Sequence, residues 1–264
     1  MFSIVITSYN RYPLIMCAIN SALEFADFLP NSEIIVVDDH STDGTVEKVI
    51  EKYGMYFKNN KIKLVEHRKN LGVTGAKNSG ARKATGEWII FLDSDDKLLT
   101  NIGLKMKKIV QATPEFCSVV FFRCANEYGQ LLGPEQTEES WLNLYAFLHQ
   151  GTPGECLPVV RRSHFLDFSY EEDLRGFEGL TYGKMIKCFG PVLVSSVVAR
   201  VYGTENNDRL STRTNIRKRG CLIALGYYRM IRLFYPVLGV AGVLKFSTKS
   251  IVHLSRCIFA KITS

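Results

Sequence analysis

The chain has 264 residues, 46% apolar and 22% charged. These are the proportions of a folded globular protein and exclude a disordered, collagen-like or low-complexity chain. Lys and Arg number 33 against 26 Asp and Glu, a formal net charge of +7, and the length suits one large domain or one domain with an appendage.

Phe2 to Thr7 is an apolar run with β-branched residues, which predicts a buried first strand rather than a leader peptide. Ser8-Tyr9-Asn10-Arg11 reads as a turn, and behind Pro13 the residues Leu14, Ala18, Ala22 and Phe25 recur at helical spacing. Pro30-Asn31-Ser32 breaks that helix. Glu33 to Val37 predicts a second strand, ending in Asp38-Asp39. Ser41 to Thr45 is a turn that caps a helix beginning near Val46. Lys61 to Glu66 predicts a third strand, Gly72 to Ala84 a helix rich in Gly and Ala, and Trp88 to Leu92 a fourth strand closed by Asp93-Ser94-Asp95-Asp96. Alternation of this kind gives an open parallel sheet with helices on both faces. Its ligands bind outside the carboxyl ends of the strands. The clusters Thr7 to Arg11, Asp38 to His40 and Asp93 to Asp96 all fall at such ends and should converge on one crevice.

Asp93, Asp95 and Asp96 place three carboxylates within four residues. Such charges repel unless they lie in water or hold a cation, and hard oxygen ligands suit Mg²⁺ or Mn²⁺ bridging to substrate phosphates. A polar loop capping the next helix is the plainer alternative. Asp39 could accept hydrogen bonds from a base or sugar, and Tyr9 could stack on a base. Asn10, Asn70, Lys77 and Arg82 could offset phosphate charge. Glycines between Asn70 and Gly80 permit close backbone approach. Neither G-x-G-x-x-G nor a Gly-Lys-Ser/Thr loop is present there, so a dinucleotide or P-loop reading lacks its motif.

Thr7-Ser8-Tyr9-Asn10-Arg11, Val36 to Thr45, Asn70-Leu71-Gly72 to Gly80, and Gly86 to Asp96 stand in this order. Together they resemble the opening of a family 2 glycosyltransferase with the GT-A fold, strongly over residues 2 to 97 and weakly over 98 to 212. The resemblance implies a mixed, mostly parallel sheet flanked by helices. It implies a nucleotide-sugar donor site of Thr7, Tyr9, Asn10, Asp39, Asn70, Gly72, Lys77, Asp93, Ser94 and Asp95. Tyr9 would pack on the base, Asp39 bond its edge, and Asp93 contact the ribose. Asp95, second acid of the DxD motif, would hold Mn²⁺ or Mg²⁺ on the diphosphate. Lys77 stands where many members carry Arg, replacing a bidentate fork with a point charge.

Ser118 to Arg123 predicts a further strand. Glu155 to Arg162, leading into Ser163-His164, is similar to the family's acceptor-side segment and makes His164 a candidate acceptor contact. Many relatives carry a Glu-Asp pair, assigned as catalytic base, in the segment matching Asp173 to Tyr182. This chain has Glu178-Gly179, so Glu178 is the candidate base, with Asp173 or Glu172 as alternatives. Val197 to Gly203 and Asp208 to Ser211 resemble the end of the catalytic domain, where Arg200 or Arg209 could hold a phosphate or serve as an ordinary structural cation.

From Arg209 to Ser264 there are 11 basic residues and no acidic ones, leaving 22 basic against 26 acidic before them. The expected division is a catalytic domain over 1–212, with a nucleotide-sugar half at 1–97 and an acceptor half at 98–212, and a basic apolar helical tail over 213–264. The longest uncharged run in the tail, Leu233 to Leu244, contains Pro236 and is too short to span a membrane, which takes about 20 residues. Arg229, Arg232, Lys245, Lys249 and Arg256 recur at helical spacing, which suits an amphipathic helix in the headgroup region of an anionic membrane. A helix covering the domain core is the alternative. No nucleic-acid reading motif accompanies the charge. The seven cysteines are scattered and odd in number, without a CxxC pair; buried thiols in a reducing compartment are expected, not disulfides or a zinc site.

The expectation is therefore a metal-dependent inverting enzyme, transferring a hexosyl or N-acetylhexosaminyl group from a nucleotide-diphosphate donor such as a UDP-sugar. The acceptor would be a lipid-linked oligosaccharide in surface polysaccharide assembly, and the enzyme would be cytoplasmic and peripheral on the inner face of the cell membrane. Alternatives are transfer to polyprenyl phosphate itself, and a nucleotide-sugar-binding protein without catalysis.

Overall fold

Four strands, β1 (Phe2–Ser8), β2 (Glu33–Asp38), β3 (Ile62–Glu66) and β4 (Trp88–Asp93), pair in parallel in the order β3-β2-β1-β4 in a computed structural model that describes residues 1–29, 31–203, 216 and 219–262, with side chains through 258. Pro30, Arg209 and the Asp208 to Ser211 motif, with the domain boundary expected at 212, lie outside the described residues. Every residue of β1 and β2 is buried, as expected of parallel strands covered on both faces. Ile4 and Ile6 point to one core with α1 (Leu14–Asp27), α2 (Thr45–Lys58) and α4 (Gly103–Ala112). Val5 points to the other, with α3 (Gly72–Lys83), α6 (Arg162–Phe168) and α7 (Gly179–Phe189). The small residues of α3 have a packing reason: a side chain at Gly80 would run into Val5 and Val37, so the helix lies directly on β1 and β2.

The register aligns the strand ends. Thr7 stands opposite Val37 on one side and Asp93 on the other, so the three polar clusters share one edge. Beyond β4 the sheet continues as β8 (Cys156–Arg161), β6 (Val119–Ala125), β9 (Val192–Val201) and β5 (Lys97–Leu98), with β7 (Ser140–Leu142) also on β9. β8 is antiparallel to β4 and β6, whereas β9 is parallel to β6. The parallel block thus carries the sequence-legible half, and a mixed block completes the sheet. A short helix, α5 (Leu144–Gln150), lies between β7 and β8.

The tail is helical, as expected, but it folds back on itself. Helix α8 (Gly220–Ile262) passes through Pro236, but Gly239 has φ +60 and the chain turns back there. Its legs, 220–238 and 240–262, lie side by side: Ser250 Oγ donates to Ala224 O, the Tyr227 and Phe246 rings are 5.5 Å apart, and Cys221 is disulfide-bonded to Cys257. That bond overturns the expectation of unpaired thiols, because the fold-back brings together two cysteines 36 positions apart. By length and composition the Gly220–Ile258 stretch is apolar enough to cross a membrane, contrary to the estimate from the uncharged run. One side of the hairpin instead packs on the body, where Met230, Phe234, Leu238 and Phe246 join Leu148, Leu174 and Leu180 in a third core. The cations do not share one face: Arg229 pairs with Glu171 and Asp173 of the body, and Lys245 donates to His149 O.

Candidate active site

A cleft of about 990 Å³ opens at the carboxyl edge of β1, β2 and β4. Thr7, Tyr9, Asp39, Asn70, Gly72, Lys77, Asp93, Ser94, Asp95 and Glu178 all line it. Tyr9 is 47% exposed there, free of core packing and available to a flat ligand. The convergence follows from the register, since each cluster is the last polar segment of its strand.

Lys77 is the electrostatic centre. It projects from α3, almost fully buried, with Nζ 3.0 Å from Asp93 Oδ1 and 3.7 Å from Glu178 Oε1. Burial would lower this ammonium's pKa, but Asp93 and Glu178 outweigh burial and raise it. Burial likewise would raise the Asp93 carboxyl, but Lys77 and Arg200 hold it below the ordinary range. One cation therefore joins the strand-end acid Asp93 to Glu178 at the start of α7, 85 positions further on.

Asp39 reaches the cleft with much of its capacity engaged. Its Oδ1 accepts from the Leu71 amide at 2.7 Å and its Oδ2 from the Gly72 amide at 2.6 Å, with His67 Nδ1 2.8 Å from Oδ1. It thereby fixes the Asn70–Gly72 turn. Gly72 has φ +80, and a side chain there would strike Arg175, so this glycine meets both a backbone and a space requirement.

Three predicted site residues lie elsewhere. Asn10 is not in the cleft; its side-chain oxygen accepts from the Thr42 amide at 2.8 Å, holding the β1 turn to the loop before α2. Asp173 is turned to the hairpin, bound by Arg229, and that hydrogen bond outweighs burial to lower its pKa. Its alternative Glu172 bonds Asn78 Nδ2 at 3.2 Å. His164 stacks on Phe189 at 3.7 Å between ring centroids, away from the cleft. Arg200 lines the cleft but is 3% exposed and structural in its contacts: its guanidinium is 3.0 Å from Asp96 and 2.8 Å from Glu155. Desolvation pushes the buried Asp96 carboxyl up, against the pull of Arg200.

Arg11, Arg175, Arg219 and the segment from Gly151 to Cys156 also border the cleft. The sequence singles out none of them as a site residue, although Arg11, Arg175 and Glu155-Cys156 lie within the matched segments; Arg219 and Gly151 to Gly154 carry no motif. Among the described residues no group of three or more His, Cys, Asp or Glu forms a ready metal cage. The arrangement still fits a Mg²⁺-like ion, which binds through one or two carboxylates and substrate phosphates, with Asp95 in the cleft beside Asp93.

Residues 3–155 match the family model of Glycosyl transferase family 2. The chain belongs to that family. Over 101 residues it is 38% identical to the UDP-Glc:alpha-D-GlcNAc-diphosphoundecaprenol beta-1,3-glucosyltransferase WfgD of Escherichia coli, covering 38% of this chain and 37% of WfgD. Over 237 residues it is 29% identical to the GalNAc(5)-diNAcBac-PP-undecaprenol beta-1,3-glucosyltransferase of Campylobacter jejuni, covering 88% of this chain and 73% of that enzyme. In three dimensions it resembles S. aureus TarS 1-349 in complex with UDP-GlcNAc, at TM-score 0.68 and 17% identity over 97% of this chain and 72% of that one. The mannosyltransferase PcManGT from Pyrobaculum calidifontis, in complex with GDP-Man and Mn2+, gives 0.67 and 20% over 98% and 75%. These structural likenesses establish the GT-A fold of this family member.

Proposed function

We propose that the protein transfers a sugar, with inversion, from a UDP-sugar to a saccharide carried on a polyprenyl diphosphate, with Glu178 as general base. The observation that carries this is the convergence on Lys77 of Asp93 from the donor-side edge and Glu178 from the start of α7. The acceptor class is supported by the names of the Escherichia coli and Campylobacter jejuni relatives.

The chemistry needs one carboxylate acting as base. An acceptor hydroxyl oxygen bonds to the anomeric carbon while the bond from that carbon to the diphosphate breaks. The hydroxyl proton passes to Glu178, and UDP leaves. Charged Lys77 offsets the negative charge shared by Glu178 and Asp93 before the proton moves. Tyr9 orients the base by stacking, and the turn held by Asp39 shapes the wall beside it. Asp95 would hold a divalent ion, which would supply positive charge to the diphosphate.

The hairpin also exposes Tyr228, Tyr235, Val240, Leu244 and Ile251, with Arg232 and Arg256 exposed on the same two legs. Apolar side chains mixed with cations suit the interface of an anionic bilayer, and this face would hold the enzyme peripherally at the inner side of the cell membrane.

The test is transfer from UDP-glucose and UDP-GlcNAc, with Mn²⁺, Mg²⁺ or chelator, to a GlcNAc-diphosphate lipid and to a bare polyprenyl phosphate, with products read by mass spectrometry. Metal-dependent transfer to the diphosphate-linked sugar is expected. Transfer to the bare phosphate alone would reassign the acceptor, and donor binding without any product would overturn catalysis.

A further inference from the structure

A second cavity, of about 340 Å³, lies between α5, the start of α7 and the hairpin. Phe177, Tyr227, Met230 and Phe246 give it an apolar wall, and Lys245 and Lys249 also line it. It adjoins the first cleft: Phe147, Gly151, Gly176, Glu178 and Gly179 line both. Gly179 leaves that junction open, since a Cβ there would meet nothing within 4 Å.

The two lysines are cations without carboxylate partners. Lys245 Nζ donates to His149 O at 2.8 Å, and Lys249 Nζ sits 5.4 Å from the centre of the Tyr227 ring. Among the described residues neither forms an ion pair. Partial burial, and then the neighbouring Lys245 charge, lower the Lys249 pKa, and a bound anion would offset both by Coulomb attraction. An apolar trough with paired cations, opening at the candidate base, matches an amphiphile with an anionic linkage between its chain and its sugar.

We propose that this cavity binds the diphosphate and first isoprene units of the acceptor, with Lys245 and Lys249 on the phosphate oxygens and the aromatic wall against the chain. This rests on the reading of the acceptor as a polyprenyl-diphosphate saccharide. The saccharide then projects through the opening at Gly179, so that its hydroxyl faces Glu178.

Anionic bilayer headgroups share the same phosphate chemistry, so the acceptors are compared without membrane and vesicle binding is measured separately. A water-soluble, short-chain isoprenyl-diphosphate GlcNAc and an alkyl GlcNAc glycoside without phosphate are compared as acceptors. For K245A/K249A, the ratio of kcat/KM on the first to that on the second should fall about tenfold or more, as expected for loss of charge-assisted bonds. K245R/K249R should restore most of the ratio. An unchanged ratio overturns the site, as does loss of binding to phosphatidylglycerol vesicles with the ratio intact. If the wild-type protein uses neither acceptor, the acceptor reading fails, and calorimetry with a short-chain isoprenyl diphosphate decides the cavity separately. Binding by wild type that is lost in K245A/K249A upholds it, and no binding by wild type overturns it.

Discussion

Glu178 and Asp173 carry the same functional group five positions apart, yet their surroundings differ in kind. Asp173 is held as a carboxylate by two hydrogen bonds from Arg229, outside the cleft. Glu178 borders the cleft, 3.7 Å from a buried ammonium. Glu178→Gln should keep UDP affinity near wild type and lower kcat by about 10²- to 10⁴-fold, the range for loss of a general base. Asp173→Asn should leave kcat within about threefold, because only an exposed, screened pair is removed. Steady-state transfer with nucleotide calorimetry checks both, and a collapse of kcat in Asp173→Asn alone would reverse the assignment. The sequence could present both acids but not choose between them. The choice depends on Arg229, 56 positions from Asp173, and on Lys77, which reaches Glu178 from another helix. Asn10 shows a related ambiguity: a polar residue at a strand end suits a ligand or a neighbouring loop equally, and here its side-chain oxygen accepts from the Thr42 amide.

Among elements, the four parallel strands were legible because their apolar runs are unbroken and both faces are covered. What locks their amino-terminal ends is less visible. Glu33, at the start of β2, accepts from Ser3 Oγ at 2.5 Å, from the Thr85 amide at 2.6 Å and from Lys63 Nζ at 2.5 Å. These bonds tie β1, β3 and the turn before β4 to one carboxylate. Burial raises the Glu33 pKa, but Lys63, Ser3 and Thr85 prevail and bring it down to about 2. A carboxylate with a depressed folded-state pKa stabilises the fold above its unfolded pKa and loses that contribution as pH falls towards the folded value. Between about pH 4.5 and 2 the wild type should therefore lose up to about 3 kcal/mol through this group. Glu33→Gln should be less stable than wild type at pH 7 and flatter across that interval in urea titrations; equal slopes would remove Glu33 as the cause. The hairpin was illegible at this scale because periodicity reports a helix but not its reversal, which comes from Gly239 just after Pro236. Its disulfide gives a direct check. Alkylation of denatured, unreduced protein should label five cysteines, Cys17, Cys117, Cys124, Cys156 and Cys188, and labelling of all seven would mean that the pair is reduced.

For the molecule as a whole, α8 belongs to the body and to the outer surface at once, which changes how membrane association has to be tested. A charge count alone suggests a detachable tail, since its acidic partners Glu171 and Asp173 lie in the body. Yet Phe234 is 1% exposed and packs beside Leu180 and Leu174, and Phe177, next to Glu178, meets Tyr227 edge to face at 5.3 Å. Removing the hairpin would uncover that core and loosen the segment bearing the candidate base. Truncation of one buried Phe alone costs about 3–5 kcal/mol. A truncated protein leaving the membrane fraction would thus report unfolding as readily as lost anchoring. Tyr235, Leu244 and Ile251 offer a cleaner handle, being 64%, 62% and 66% exposed and outside both cavities. Tyr235→Glu/Leu244→Glu/Ile251→Glu should unfold within about 2 °C of wild type, as expected for exposed positions, and keep activity on a water-soluble acceptor. The same variant should lose binding to vesicles containing phosphatidylglycerol by about tenfold or more, because apolar contact is removed and each new carboxylate is repelled by the surface. Unchanged vesicle binding, with the fold intact, would exclude this face as the membrane contact and leave the hairpin as a structural buttress for Glu178.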